Sequence, residues 1–447
     1  MAAALRRLAV ILILFGMVVG PAFSENTPSA FNFHLDLGLG VQTFNDPDPI
    51  TGSSTTTYQS IGLSPDFSVG NLGIGLALTL NYRFAGTGST FMVREADWVP
   101  NPVTFQSILA LYLPKISYVR WGEKGDPLYL KLGSFDDATF GDGFIMGDYS
   151  NMLFLPGDRH FGLQADLDGN LFKFPYVGFE SAIGNMAQFD VVGARLYVRP
   201  LAFLSVPVIS NLEVGATVAA DNNPYLETAS AGSGSTAPVA VFGADIQLPI
   251  VNVKDAISLI TFTDAASIQG KSWGGMLGLG GKLINIFTYG AQLRLLGQNF
   301  IPVYFGPTYD LLRDQQYNIV QSNPVAAPPM FGWLASLGTS FLDDKLIFSV
   351  SVDGPFVPPA VDPTGLLSYP HLRAILSLAE GIVPVFSFDF SYDKKGIAGW
   401  SDFMSPDNAA FQAKVNFKTG PAVISFVYQV IANQPPVSGL QTSISLF

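Results

Sequence analysis

Residues 31–43, FNFHLDLGLGVQT, decide the fold of this chain, because apolar and polar residues alternate along them without a break. Every odd position from 31 to 41 is Phe, Leu or Val, and every even position from 32 to 42 is polar, charged or glycine. Successive side chains of a β-strand point to opposite faces, so one face of this segment is apolar and the other is polar or small. The pattern predicts a strand that separates an apolar from a polar environment.

The same alternation returns along the whole chain. It is clearest at 72–84, LGIGLALTLNYRF, and at 287–295, FTYGAQLRL. Each run is close to the ~9–11 residues that a tilted strand needs to cross a bilayer. Repetition at this length favours an all-β fold, a transmembrane antiparallel up-and-down β-barrel of about 18–20 strands.

The alternation predicts twenty strands with approximate borders. They lie at 31–43, 58–69, 72–84, 107–121, 128–135, 161–168, 171–180, 188–199, 210–219, 239–249, 256–264, 273–281, 285–295, 331–341, 345–354, 371–379, 383–392, 410–418, 421–431 and 440–447. The pattern is weakest at 128–135, 188–199 and 256–264, so eighteen strands are the alternative. Both numbers are even, as closed antiparallel barrels of bacterial type require.

Short and long links alternate between these strands. The short ones carry turn residues and lie at 70–71, 122–127, 168–170, 343–344, 380–381 and 419–420. The long ones lie at 45–57, 85–106, 136–160, 220–238, 296–330, 355–370 and 393–409. Outer-membrane barrels sort their connections in this way, with short periplasmic turns and longer outer loops. The alternation therefore predicts both a membrane barrel and its orientation.

Composition and charge restrict the partners and the compartment. Hydrophobic residues make up 48% of the chain and charged residues only 13%, yet the apolar residues are dispersed rather than gathered in blocks. Without Arg6 and Arg7, 21 basic residues face 35 acidic ones, a net charge of −14, which argues against nucleic acid as a partner. No cysteine is present, so the chain has neither disulfides nor thiol chemistry.

The first 24 residues are predicted to be a cleaved signal peptide. Arg6 and Arg7 form a basic start, residues 8–19 are apolar, and Ala22-Phe23-Ser24 is a small-x-small cleavage site. The apolar run is too short to span a bilayer comfortably. We therefore expect export, with residues 25–447 forming a single transmembrane barrel.

These features together resemble bacterial outer-membrane β-barrel proteins of the porin type. The resemblance covers residues 25–447 and includes the terminal Phe447. It implies insertion into outer-membrane lipid, with Phe447 read as a signal by the barrel-assembly machinery. The chain departs from the usual pattern because Leu440, Ile444 and Leu446 lie in the opposite phase to Phe447.

Two sets of charged residues are candidates for the pore. The polar phase of the predicted strands carries the pore-lining candidates His34, Asp36, Arg83, Lys131, Glu213, Asp245, Arg294, Asp353, Arg373, Lys414 and Lys418. The loop at 136–160 carries Asp136, Asp137, Asp142, Asp148 and Asp158. This acidic loop either stays at the surface or folds inward and constricts the lumen, since length alone does not fix where a loop goes.

Catalysis, metal binding and cofactors find little support in the sequence. No motif ties His34, His160 or His371 to a nucleophile, so we expect no enzymatic activity. The stretch Asp166-Leu-Asp168-Gly-Asn lacks the remaining ligands of a calcium loop and is better explained as a hairpin turn. We predict no metal and no cofactor.

The sequence thus predicts an outer-membrane porin or channel through which small hydrophilic solutes diffuse. Two alternatives stay open. One is a transporter of hydrophobic substrates in which an N-terminal segment plugs the barrel, and the other is an adhesion or structural barrel with a closed lumen. A homo-oligomer is compatible with each of them. The transported solute is not encoded in any motif that we recognise.

Overall fold

The computed structural model describes residues 31–44, 46–48, 50–85, 90–155, 159–206, 208–226, 237–253, 256–284, 286–322, 327–342, 345–358, 366–367, 369–420, 422–432 and 436–444. The predicted signal peptide at 1–24, the loop residue Asp158 and the predicted assembly signal Phe447 lie outside these residues. What the sequence predicts for them therefore stays a prediction.

The described residues form 22 strand segments and two α-helices. The strands are β1 (Phe31–Phe44), β2 (Thr56–Val69), β3 (Leu72–Leu76), β4 (Leu78–Ala85), β5 (Thr90–Val93), β6 (Ile116–Trp121), β7 (Leu128–Gly133), β8 (Gly162–Asp168), β9 (Val177–Ile183), β10 (Val191–Val198), β11 (Glu213–Asp221), β12 (Val239–Val253), β13 (Ile257–Ile268), β14 (Ser272–Leu283), β15 (Phe287–Leu296), β16 (Met330–Phe341), β17 (Leu346–Pro355), β18 (His371–Val383), β19 (Phe386–Lys394), β20 (Ala409–Thr419), β21 (Ala422–Ile431) and β22 (Val437–Ile444). The helices are α1 (Phe105–Tyr112) and α2 (Tyr309–Gln321). Neither helix, nor any other helix among the described residues, is long and apolar enough to cross a membrane.

Every strand ladder is antiparallel, and outside the region β3–β6 each strand pairs with the next one in sequence. β3 and β4 both pair with β2 and form one wall strand interrupted at Ala77. β5 pairs with β4 and β6 pairs with β3, so they share the next position. The 22 segments therefore occupy 20 positions, and β22 lies against β1. The predicted up-and-down barrel of about 18–20 strands is confirmed.

Two predicted strands were partly wrong. The segment 107–121 begins as α1, because Thr104 and Ser107 form a capping box and Ile-Leu-Ala-Leu follows, so that β6 starts only at Ile116. The segment 171–180 begins with a turn, and the strand starts at Val177 after Pro175, a residue that cannot donate to a ladder. All three weakly patterned segments, at 128–135, 188–199 and 256–264, contain strands.

Two elements were missed in segments that we predicted as loops. β5 lies inside the predicted link 85–106, and α2 lies inside 296–330. α2 buries Tyr309, Leu312, Gln316 and Ile319, whose spacing of three and four residues is helical. The turn predicted at 380–381 lies at 384–385 instead, because β18 continues through an irregularity to Val383.

The connections sort by length between the two ends of the barrel. One end, called the loop end here, carries the long links 45–55, 134–161, 222–238, 297–329, 356–370 and 395–408 together with shorter ones. The other, the turn end, carries links such as 70–71, 284–286 and 420–421. The link 199–212 breaks the rule, because it is long yet joins β10 to β11 at the turn end.

The two faces of the wall differ as the alternation predicts. Large apolar side chains on the outward phase are exposed, among them Leu277 at 58% and Phe426 at 56%. The inward phase carries the buried charged residues Arg195, Asp245 and Arg294. An apolar exterior around a polar interior is the pattern of a barrel in lipid.

Two loop-end segments fold inward and fill part of the barrel. We call residues 134–155 and 297–321 the plug. Within it, Ala138 and Tyr149 pair as an antiparallel bridge, and Met146 pairs with Phe305 across the two segments. Its buried side chains pack on inward residues near the loop ends of β9–β15, namely Ala182, Val191, Ala219, Val239, Val241, Ala266, Ile268, Met276 and Leu296. The buried core of the molecule therefore lies inside the wall, on one side of the barrel.

Candidate pore and plug

A buried ionic network fixes helix α2 of the plug to the wall. The Arg313 guanidinium, fully buried, donates to Asp221 at 2.7 Å and to Asp190 at 3.2 Å. Asp221 ends β11, Asp190 precedes β10, and Tyr309 donates its hydroxyl to Asp221 at 2.6 Å. One cation thus joins α2 to two neighbouring strands.

Burial and the facing carboxylates together determine the ionisation of this network. Although burial disfavours the charged guanidinium, the facing carboxylates, led by Asp221, raise the pKa of Arg313 above its already high usual value. Burial also raises the pKa of Tyr309, which stays a neutral donor. Removal of one partner of such a buried ion pair typically costs about 3–5 kcal/mol, because the other charge remains buried. The plug is therefore a firmly anchored element.

A second network holds the tip of the first plug segment. Arg195 of β10 makes a bidentate contact with Asp245 at 2.6 and 2.9 Å and also reaches Glu213 at 2.9 Å. Gly141 lies against this cluster with φ +54°, and a Cβ there would stand 3.1 Å from Arg195 Nε. The left-handed backbone and the close approach together favour glycine at this position. The plug tip is therefore shaped to fit the charged wall.

Asp142, next to this tip, is a carboxyl in an unfavourable site. Its Oδ1 accepts from the Gln247 amide at 2.8 Å, while Oδ2 is buried without a hydrogen-bond partner. Burial raises the pKa of Asp142 to about 6, with repulsion from Asp245 adding to the shift. The side chain therefore gains a proton well above the pH at which an exposed Asp does.

A third contact runs along the loop ends of β15 and β17–β19. Arg294 donates to Asp353 at 3.0 Å, and His371 places Nδ1 2.9 Å from Asp353 and Nε2 3.1 Å from Asp393. Ionised carboxylates only accept hydrogen bonds, so both ring nitrogens carry protons and the ring is a cation. The Thr308 hydroxyl, just before α2, donates to Asp393 at 3.4 Å. This chain of charges ends at the plug.

A cavity of about 250 Å³ separates the plug from the wall of β18–β21. We call it the passage cavity. The plug contributes Asp136, Ser150, Met152, Leu153, Leu155, Pro307 and Thr308, and the wall contributes Arg373, Ala374, Ile375, Ser391, Tyr392, Asp393, Ala410, Phe411, Gln412, Gln429 and Ile431. An ion pair between Arg373 and Asp148 crosses from wall to plug, and Gln429 donates to the Leu153 carbonyl at 3.2 Å.

The eleven pore-lining candidates all share the inward phase, but they do not form one cluster. Glu213 and Asp245 meet at Arg195, whereas Arg294 pairs with Asp353, which also contacts His371. The rest have separate neighbours. His34 contacts Asp36 at 2.8 Å, Arg83 contacts Asp48 at 2.9 Å, Lys418 contacts Glu380 at 2.5 Å, Lys131 lies 6.0 Å from the Tyr118 ring, and Lys414 faces Asp389 in register.

The acidic loop candidates divide among different contacts. Asp136 lines the passage cavity and Asp137 pairs with Lys124 at 3.1 Å. Asp142 reaches the wall at Gln247, and Asp148 pairs with Arg373. The described part of this loop therefore folds inward, which is one of the two alternatives that the sequence left open.

Sequence reasoning missed the residues that organise the plug. Arg195 lies in one of the weakly patterned strands, but Leu196 and Val198, which follow it in the outward phase, could have revealed its inward position. Asp393 is the last residue of the clear alternation FSFDFSYD, so its inward position could have been predicted. Arg313 lies in helix α2, within a segment that we predicted to be a loop. The alternation of a strand could therefore not have revealed it.

No protein-family model and no curated protein matches the sequence. Solved structures similar to this chain include three proteins. The outer membrane protein OprD from Pseudomonas aeruginosa is 10% identical, covers 93% of this chain and 92% of its own, and has a TM-score of 0.30. OccK11 (OpdR) from the same organism is 10% identical, covers 93% of this chain and 96% of its own, and has a TM-score of 0.34. Wzi from Escherichia coli, described as a carbohydrate-binding outer-membrane β-barrel involved in group 1 capsule assembly, is 11% identical, covers 93% of this chain and 84% of its own, and has a TM-score of 0.32. At these values the likeness carries no argument, and our assignments rest on the barrel's own geometry.

Proposed function

We propose that this protein is an outer-membrane channel through which small hydrophilic solutes diffuse between the plug and the wall of β18–β21. The observation that carries the proposal is the passage cavity, which lies between the plug and this wall. The ion pair Arg373–Asp148 bridges the plug and the wall there. Its wall offers amide and hydroxyl groups from Gln412, Gln429 and Ser391. Such groups replace part of the hydration shell of a passing solute.

The location in the outer membrane is part of this proposal. Three features support it: the apolar outward face, the sorting of connections by length and the predicted signal peptide. Insertion would place lipid around the wall and involve the barrel-assembly machinery, with Phe447 as the signal. The pore-lining candidates from the sequence would then bias the solutes by charge, and no catalytic chemistry is required.

Conductance of the purified protein in a planar bilayer tests the proposal. We expect steady open channels in KCl, because both the plug and the wall contribute polar groups to the passage cavity. A barrel preparation that is folded, as judged by heat-modifiable migration on a gel, yet shows no conductance at any voltage would refute a diffusion channel. Unfolded protein serves as the control for nonspecific leakage.

A second candidate is a closed barrel that acts through its outer loops. The specific observation in its favour is the extent of the plug core, where Tyr304, Phe305 and Met146 have no exposed surface. A plug packed this tightly would suit an adhesion or structural protein. This candidate predicts the folded but non-conducting outcome of the same bilayer experiment.

A further inference from the structure

A charge-free segment interrupts the wall between β5 and β6. Residues 98–114, WVPNPVTFQSILALYLP, contain no Asp, Glu, Lys or Arg. They include α1, which is capped by Thr104 but has no buried side chain. Val103 is 73% exposed and Phe105 is 77% exposed. A helix that is apolar on nearly all sides is normally buried in protein or in a membrane.

The residues on either side of this segment, which we call the arm, are hydrogen-bonded to one short stretch of the neighbouring strand. The Arg94 amide donates to the Asn81 carbonyl at 2.9 Å, and the Ala77 amide donates to the Lys115 carbonyl at 2.8 Å. The Lys115 ammonium lies 4.3 Å from the centre of the Trp98 ring. The arm therefore leaves and re-enters the wall within residues 77–81 of the neighbouring strand, partway along its length.

The strands of the wall beside the arm are short. β6 and β7 have 6 residues each and β8 has 7, whereas β12 has 15. A strand needs ~9–11 residues to cross a bilayer at a tilt. Beyond the loop ends of β7 and β8 the chain turns into the plug. An uncovered polar backbone at bilayer depth is costly, so this side of the barrel requires an apolar cover.

We propose that the arm, residues 98–114, is embedded in the hydrocarbon of the membrane beside the short strands β6–β8. The inference rests on the proposed location in the outer membrane. It is supported by continuity with the apolar exterior: Phe84 and Phe91, on the outward phase of β4 and β5, are 60% and 45% exposed and their ring centroids lie 5.7 Å apart. Trp98 and Lys115 stand at the base of the arm, and the cation lies on the aromatic face.

The absence of cysteine from the chain permits a direct test. Phe105→Cys and Ile108→Cys variants are labelled with a nitroxide and reconstituted into liposomes. Oxygen, which partitions into hydrocarbon, and a water-soluble nickel complex then compete for collision with the label. Leu277→Cys on the outward face gives the lipid reference, and Trp400→Cys, at a loop residue that is 89% exposed, gives the water reference.

We expect both arm labels to match Leu277→Cys, with oxygen collisions several-fold above nickel collisions. Labels that match Trp400→Cys would overturn the proposal and place the arm in water, at the surface or in the lumen. Labels shielded from both reagents would also overturn it and indicate a covering protein surface, such as a second copy. If Leu277→Cys itself reports water, the membrane location in the proposed function fails instead.

Discussion

The wall of β9–β15 and the wall of β18–β21 use their inward side chains differently. On the first, small and apolar residues such as Ala219, Val241 and Ile268 contact the plug core, and Arg195 lies against the plug tip. On the second, Gln412 and Gln429 face a cavity. The same alternating backbone can therefore present either a packing surface or a passage, depending only on the inward residues.

This difference explains why the plug lies on one side. Burial of apolar surface stabilises the plug by roughly 25 cal/mol per Å², and the first wall offers such surface at the loop ends of its strands. The buried cation Arg313 adds a contact that the second wall does not match. The contacts of the plug with the second wall include the exposed ion pair Arg373–Asp148 and the long hydrogen bond from Thr308 to Asp393. Weak contacts of this kind are compatible with a route for solutes between the plug and this wall.

The largest effect is expected from loss of the plug anchor. Arg313→Met leaves Asp190 and Asp221 buried without their cation, so the packing of the plug should weaken by about 3–5 kcal/mol. Single-channel recordings should then show larger and noisier conductance, while the gel shift on heating persists. Lys271→Met, which removes one exposed contact to Gln321, is the control and should leave conductance unchanged. Unaltered conductance in Arg313→Met would mean that the plug does not limit the passage.

Next in size is a test of the two faces of the second wall. Phe426→Arg places a charge on the outward face of β21, at a cost of roughly 2–4 kcal/mol near the bilayer centre. Val427→Arg, one residue along, points inward and should be tolerated. Folding yields into liposomes measure both variants. Equal yields would show that the faces are wrongly assigned.

A smaller, pH-dependent effect is expected at the plug tip. Because burial raises the pKa of Asp142 to about 6, its contribution to stability is complete below the ordinary value of 3.8 and is lost as pH rises through 6. Asp142→Asn keeps an acceptor for Gln247 and should be about 1–2 kcal/mol more stable at pH 8, with little change at pH 4. Urea unfolding at the two pH values measures this difference. A variant less stable at pH 8 would contradict the burial argument.

The smallest effect is expected where the plug meets the passage. Asp148→Asn removes the exposed partner of Arg373, and exposed ion pairs contribute only ~0.2–1 kcal/mol. Stability should hardly change, while anion permeability should rise because a free guanidinium then faces the cavity. The reversal potential in a KCl gradient reports the change. A shift toward cations would assign the controlling charge elsewhere.

How far the sequence predicts this molecule depends on the range of the interactions. Strand faces follow from local alternation, so residues such as Leu277 and Arg294 could be placed without a structure. The plug depends on contacts between distant segments, such as Met146 with Phe305 and Arg313 with Asp190, and no local pattern contains them. Helix α2 could be predicted only in part. Its buried residues have helical spacing, but they lie within a long segment that was predicted to be a loop.

Blockage of the passage cavity tests the central claim most directly. The chain lacks cysteine, so Gln412→Cys introduces a single thiol in the cavity, and Tyr428→Cys introduces one on the outward face of the adjacent strand. We predict that a bulky thiol reagent lowers the conductance of Gln412→Cys channels in a planar bilayer and leaves Tyr428→Cys channels unchanged. Full conductance of Gln412→Cys after complete labelling would contradict a route between the plug and β18–β21.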